Sequence, residues 1–342
     1  MKDNNTEFAK RMIWLDAAKG LGMILVIIGH GPTISENLWK LIWTFHMPFF
    51  FFLSGYTFHV NNDTEQLINK KFKRLIIPYI FTVIMLMVID LIRQIVTSTP
   101  KMADILSICF RWIWGGVYGS CWPYEAPFLI YDIGAIWFLV TLFCAELILN
   151  EILKFEFEYM IPIIILGLGY IGFASKEFIW LPWNMQASFV MLSVMYAGYI
   201  CKKANILMKT WKGLHFILFP LAFICIINGS CVIVGNNTYT YGVFSIIGAV
   251  VISMYFCKAS ALLFNNQNKI TKIVSFFGRN SIVVLCFHLI ELDMFPWGNI
   301  CYQFTNPAIN NCVIIGLKIV YAFIMIMLVE KIQFLQQIFY RK

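Results

Sequence analysis

The 342-residue chain reads as an all-α polytopic integral membrane protein with about ten transmembrane helices and both termini cytoplasmic. Three observations lead there. The composition is 60% hydrophobic and only 13% charged, more apolar than a water-soluble domain of this length needs. Apolar runs of spanning length recur along the whole chain. Lys and Arg collect in alternate connections between those runs, as they do on the cytoplasmic side of membrane proteins.

The apolar segments fall at 13–34, 39–59, 76–96, 131–151, 159–174, 185–200, 213–233, 241–263, 281–298 and 310–330. With the N-terminus inside, the cytoplasmic segments are 1–12, 60–75, 152–158, 201–212, 264–280 and 331–342, and they hold 18 of the 26 Lys and Arg residues. The outer connections 97–130 and 174–184 hold only Lys101, Arg111 and Lys176. The N-terminal MKDNNTEFAKR followed by an apolar run resembles a signal peptide. Lys19 interrupts the run, however, and no small-residue cleavage site follows, so the segment reads as an uncleaved first helix. The connection 97–130, containing RWIWGGVYGSCWPYEAP, has the aromatic and Gly/Pro content of an interfacial or re-entrant loop covering a site, or of an aromatic belt. No repeat or soluble appendage is visible, so residues 1–342 are expected to form one membrane-embedded domain that holds whatever activity there is.

The formal net charge of +8 is accounted for by the cytoplasmic bias, and no basic stripe on a soluble helix points to nucleic acid. The ten cysteines are scattered without CxxC or other metal-type spacing, so no metal is expected and most should pack as small apolar side chains. Cys301 and Cys312 flank an outer loop and form a candidate disulfide if that side is oxidising.

Ionisable groups at membrane depth are costly and usually line a cavity, pair, or do chemistry. Lys19 and His30 both lie in the first run. Eleven residues apart, they share one helix face about 16 Å apart along the axis. His46, in WTFHMPFFFFLSGY, lies about 20 Å from the inner side against about 25 Å for His30, so the two imidazoles are expected at similar levels. His46 has a plainer reading too, a hydrogen bond to a backbone carbonyl freed by Pro48. Lys70, Lys71, Lys73 and Arg74 precede the third span. They read either as a topology signal in contact with anionic lipid or as a site for the phosphates of a cytoplasmic ligand. Asp90 and Arg93 are spaced to neutralise each other. Asp132 and Glu146 fall near opposite ends of one span, as interfacial residues would. His288, with Glu291 and Asp293 nearby, is a third histidine candidate.

These blocks together resemble the acyltransferase-3 family of membrane O-acyltransferases, which includes fucose 4-O-acetylase-like enzymes of bacteria. The resemblance is carried by Lys19-x10-His30, by FHMPFFFFLSGY, and by KFKRLIIPY. AIWFLVTLF (135–143) and FFGRNSIVVLCFH (276–288) continue it, so that ordered blocks cover nearly the whole chain. The family usually has Arg where this chain has Lys19, and Arg-x-x-Arg where it has Lys71-x-x-Arg74. Lysine keeps the charge but gives up the bidentate grip of a guanidinium on phosphate.

The resemblance implies ten spans, a cytoplasmic acyl-CoA donor, usually acetyl-CoA, and a sugar hydroxyl on a surface or exported glycan, or its lipid-linked precursor, as acceptor. It places such a protein in the bacterial cytoplasmic membrane. Lys71, Lys73 and Arg74 would then hold the CoA phosphates, with Lys19 near the thioester end of the path. His30 would be the general base or a transient acyl carrier, and His46 its neighbour. A competing reading is a transporter that moves an acyl group, a small amino acid or a glycan precursor without covalent change.

Overall fold

The computed structural model describes residues 12–32, 34–125, 128–211, 213–266, 268–297 and 306–340. Helices dominate. In chain order they are α1 (Ile13–Gly29), α2 (Glu36–Tyr56), α3 (Thr64–Lys71), α4 (Ile77–Thr97), α5 (Met102–Tyr118), α6 (Trp137–Ile152), α7 (Met160–Ser175) and α8 (Met185–Lys203). There follow α9 (His215–Ile227), α10 (Val243–Leu263), α11 (Lys269–Arg279), α12 (Ser281–Met294), α13 (Pro307–Lys331) and α14 (Gln333–Phe339). A π-helical turn, Phe72–Ile76, joins α3 to α4 without a break. Backbone polar groups that cannot reach water must bond within their own segment, which is why so apolar a chain is helical nearly throughout.

Burial is distributed as in a membrane protein. Phe49, Phe51 and Phe52 of α2 are fully buried, whereas Phe216 of α9 is 84% exposed and Tyr170 of α7 is 73% exposed. Large apolar side chains on both the inside and the outside fit a bundle whose outer surface meets hydrocarbon. By length and composition, four segments can each cross a bilayer: Thr64–Thr97, Gly134–Ile152, Val243–Leu263 and Ala308–Lys331. The pair α11 and α12, bent by 73°, makes a fifth if counted as one broken span. The count of ten and the cytoplasmic termini rest on the sequence alone.

Helix α1 is buried between α2, α10 and α11. Its contact with α11 is backbone to backbone. A Cβ on Gly20 would overlap the Val274 carbonyl, and one on Gly278 would overlap the Asp16 carbonyl, so only glycine permits this approach. The consequence is that Arg279 and Ser281, which follow Gly278, are held beside the Asp16–Lys19 turn.

Two connections differ from expectation. Residues 97–130 contain a full helix, α5, whose Met102, Leu106, Phe110 and Ile113 are exposed in the manner of a lipid-facing helix. The chain between α9 and α10 folds into a small hairpin that pairs Val232 with Tyr239 and Ile233 with Thr238. Asn237 turns it in the left-handed region at φ 53°, and its side-chain amide donates to the Gly172 carbonyl at 2.8 Å.

Candidate functional site

Three cavities lie end to end along α1. The largest, about 510 Å³, is at the end carrying the basic segment and is lined by Lys19, Lys70, Lys71, Arg74, Ser54 and Glu146, among others. The next, about 30 Å³, is walled by Met23, Val26, Met47, Phe50, Phe138 and Ser281. It shares Phe50, Phe138, Ser281 and Ile282 with the basic cavity. It shares Val26, Met47 and Leu285 with a third cavity of about 190 Å³, which contains His30 and His46. The middle cavity is walled by methionine and phenylalanine side chains, which can give way to a slender chain without breaking polar contacts.

Of the phosphate ligands expected from the sequence, Lys71 and Arg74 line the basic cavity and Lys73 does not; Lys70 takes its place. Lys70 and Lys71 end α3, and the π-helical turn that follows carries Arg74 to the cavity wall and leaves Lys73 off it. Glu146, expected at the end of its span, is buried within the protein. It is 4% exposed and forms an ion pair with Lys71 at 2.8 Å, while Ser54 Oγ donates to the same oxygen at 2.6 Å. Its other oxygen, Oε2, has no hydrogen-bond partner among the described residues.

The far cavity is built around tied-back imidazoles. Helix α1 ends at Gly29, sooner than the apolar run suggested, because the Gly-His-Gly-Pro sequence cannot continue it, and His30 becomes its C-cap. His30 Nδ1 donates to the Val26 carbonyl at 2.8 Å, and His46 Nδ1 to the Ile42 carbonyl at 2.9 Å. A carbonyl can only accept, so Nδ1 carries the proton in each ring and Nε2 is left as the basic nitrogen of the neutral form. The carbonyl that Pro48 frees belongs to Thr44, so His46 does not serve it. Trp43 stands between the two rings, its centroid 5.8 Å from His30 and 5.2 Å from His46. Cys121, Trp122 and Trp137 line this cavity with Val232–Gly235 of the hairpin, so the 97–130 connection supplies part of its wall.

Behind His30 is a buried polar cluster. The His288 ring meets the His30 ring edge-on at 5.4 Å. His288 Nδ1 donates to Glu291 Oε1 at 2.8 Å, and Lys318 Nζ of α13 approaches the same oxygen at 3.3 Å and the His30 carbonyl at 3.4 Å. Lys318 also lies over the Trp297 ring at 5.1 Å. His288 Nε2 and Glu291 Oε2 have no hydrogen-bond partner among the described residues. Lys318 is the group that sequence reasoning missed. It is the one charged residue between 307 and 329, and the rule that selects Lys19 selects it equally.

At the same end, the expected Asp90–Arg93 pair forms at 3.2 Å as part of a larger network. Arg111 and Trp112 of α5 donate to Asp90 at 2.7 and 2.8 Å, and Arg93 reaches Asp293 at 3.7 Å. The network ties α4, α5 and α12 together. The Cys301–Cys312 pairing lies outside the described residues at Cys301; Cys312 is exposed.

A helical membrane bundle with a basic cavity at one end of α1 and a histidine-lined one at the other sets anion-binding and proton-accepting groups along one helix. A family model described as an acyltransferase domain, the acyltransferase-3 family, matches residues 12–330, and the chain belongs to that family. It is a membrane acyltransferase. No curated protein and no solved structure matches it.

Proposed function

We propose that this chain transfers an acyl group, acetyl foremost, from cytoplasmic acyl-CoA to a hydroxyl of a surface or exported glycan, or of its lipid-linked precursor, in the bacterial cytoplasmic membrane. One observation carries the reading: the basic cavity, the narrow middle cavity and the histidine cavity share walls in sequence along α1. Cationic groups at one end suit phosphates, and a slim apolar passage suits a thioester arm. Lys19 and His30 lie about 16 Å apart on the helix that borders all three.

In this reading the residues act as follows. Lys19, Lys70, Lys71 and Arg74 hold the phosphates at the cytoplasmic end. His30, with its proton fixed on Nδ1, accepts the acceptor hydroxyl's proton at Nε2 as the oxygen attacks the thioester carbonyl. The C–S bond then breaks and the imidazolium returns that proton to the departing thiolate. His46 shares the pocket and the Trp43 partition, and serves as the second imidazole at the reacting centre. Trp122 and the hairpin keep bulk water from the acyl group.

The test is made in cells that carry the wild-type gene, a deletion, or His30→Ala inserted at normal abundance. Mass spectrometry of surface glycan should show acyl esters only with the wild type. Full acylation with His30→Ala would sink the assignment of the base. Glycan that is the same in all three strains would sink the acceptor class.

A further inference from the structure

A fourth cavity, about 110 Å³, adjoins the basic one and shares Lys19, Arg74, Ser281 and Ile282 with it. Its wall adds Arg279, a residue absent from the phosphate ligands read from the sequence. We infer that this cavity is a second phosphate subsite. It takes the 3′-phosphate of the donor's nucleotide, while the pyrophosphate lies on Lys70 and Lys71 in the larger cavity. The inference rests on the acyl-CoA reading above and narrows it to a donor that carries two separated phosphate groups.

Four observations bear on it. Among the described residues of its wall, Lys19, Arg74 and Arg279 face the cavity beside one carboxylate, Asp16. Arg279 is exposed and has no ion pair or hydrogen bond to a described residue, so its guanidinium is available as a bidentate donor. Its place is rigid. Gly278 lies against the α1 backbone, and on the other side Tyr340 Oη donates to Asn280 Oδ1 at 2.8 Å while Asn280 Nδ2 holds the Phe276 carbonyl at 3.0 Å. Finally, Ser281, Ile282 and Val283 line the cavity as the first turn of α12, which has no side-chain cap, and the backbone N–H groups there add to the positive field.

A phosphomonoester carries about −1.5 to −2 charges at neutral pH, so a pocket with this wall should separate CoA from its 3′-dephospho form. An anionic lipid headgroup presents related chemistry, and the experiment distinguishes the two. Binding of CoA and of 3′-dephospho-CoA is measured by calorimetry on the full chain in an uncharged maltoside detergent and again in nanodiscs containing phosphatidylglycerol. The wild type should prefer CoA by about tenfold, the size of one good charge-assisted interaction. Arg279→Gln should weaken CoA by that factor and leave dephospho-CoA within about twofold. That second ligand also reports that the variant is folded.

Equal binding of both ligands by the wild type would overturn the subsite while leaving the donor reading intact. So would an Arg279→Gln effect that is equal for both. A lipid site would show as Arg279-dependent retention of phosphatidylglycerol with an unchanged CoA to dephospho-CoA ratio, and that too overturns the inference. Failure of the wild type to bind either ligand would reject the acyl-CoA reading and the subsite with it.

Discussion

His288 and Glu291, one turn apart on α12, are joined by an Nδ1–H···Oε1 hydrogen bond of 2.8 Å, with each side chain at most 2% exposed. Lys318 closes on the same carboxylate from α13 at 3.3 Å and is itself 1% exposed. Charges this deep are tolerated only in company, because the desolvation of each is offset by its partner. The cluster backs the His30 ring, so its integrity and the position of the proposed base are linked.

Glu291→Gln should therefore be costly. It removes the carboxylate charge beside the buried Lys318, and breaking a buried pair in this way costs about 3–5 kcal/mol. The double variant Glu291→Gln/Lys318→Met removes both charges and should recover most of that loss. Thermal melts of the purified variants in detergent check this. Double-mutant damage equal to the sum of the two single losses would mean that the pair is not coupled.

His30→Ala should insert and melt like the wild type yet lose about 10²–10⁴-fold in acyl transfer, the range for removal of a proton acceptor. The measurement is CoA release from acetyl-CoA by proteoliposomes supplied with membrane glycan extract. His46→Ala, which empties the other side of the Trp43 partition, should also lower the rate, because both imidazoles line the same cavity.

Obstruction of the passage should separate binding from transfer. Val26 lines both the middle and the histidine cavities, and the middle one holds only about 30 Å³. Val26→Phe should abolish transfer while CoA affinity at the basic end stays within about twofold, a change of less than half a kcal/mol. Equal loss of both would mean that the cavities are not one path.

Lys70 and Lys71 should behave differently although they are neighbours. Lys71 is paired with the buried Glu146, whereas Lys70 is exposed at the cavity wall. Lys70→Met should weaken the donor alone, with the loss shrinking as salt rises. Lys71→Met should weaken the donor and also lower the melting temperature, since it strands a carboxylate that is 4% exposed.

The histidine end was legible in outline before any coordinates. Membrane depth singled out His30, His46 and His288, and helical phase placed Lys19 and His30 on one face. Lys318 is equally legible by the rule of intramembrane charge, as the one charged residue between 307 and 329. Arg279 stands within the block FFGRNSIVVLCFH, but nothing in the sequence places it beside Lys19. Only the glycine contact between α1 and α11 brings it to Lys19. Glu146 reads as interfacial from its place near the end of its span, and only the structure shows that its carboxylate meets Lys71, 75 positions away.

Composition, apolar period and charge bias by themselves determined a helical membrane protein and the residue types available for chemistry, because these follow from local hydrophobicity and spacing, and the ordered motif blocks carried the resemblance to its family. The tertiary structure decided which groups meet. It paired Lys71 with Glu146, set Lys318 and Glu291 behind His30, replaced Lys73 by Lys70 at the cavity wall, and lined three cavities along α1. Those outcomes depend on close approach between helices distant in sequence, which glycine contacts and buried ion pairs fix and no local pattern encodes.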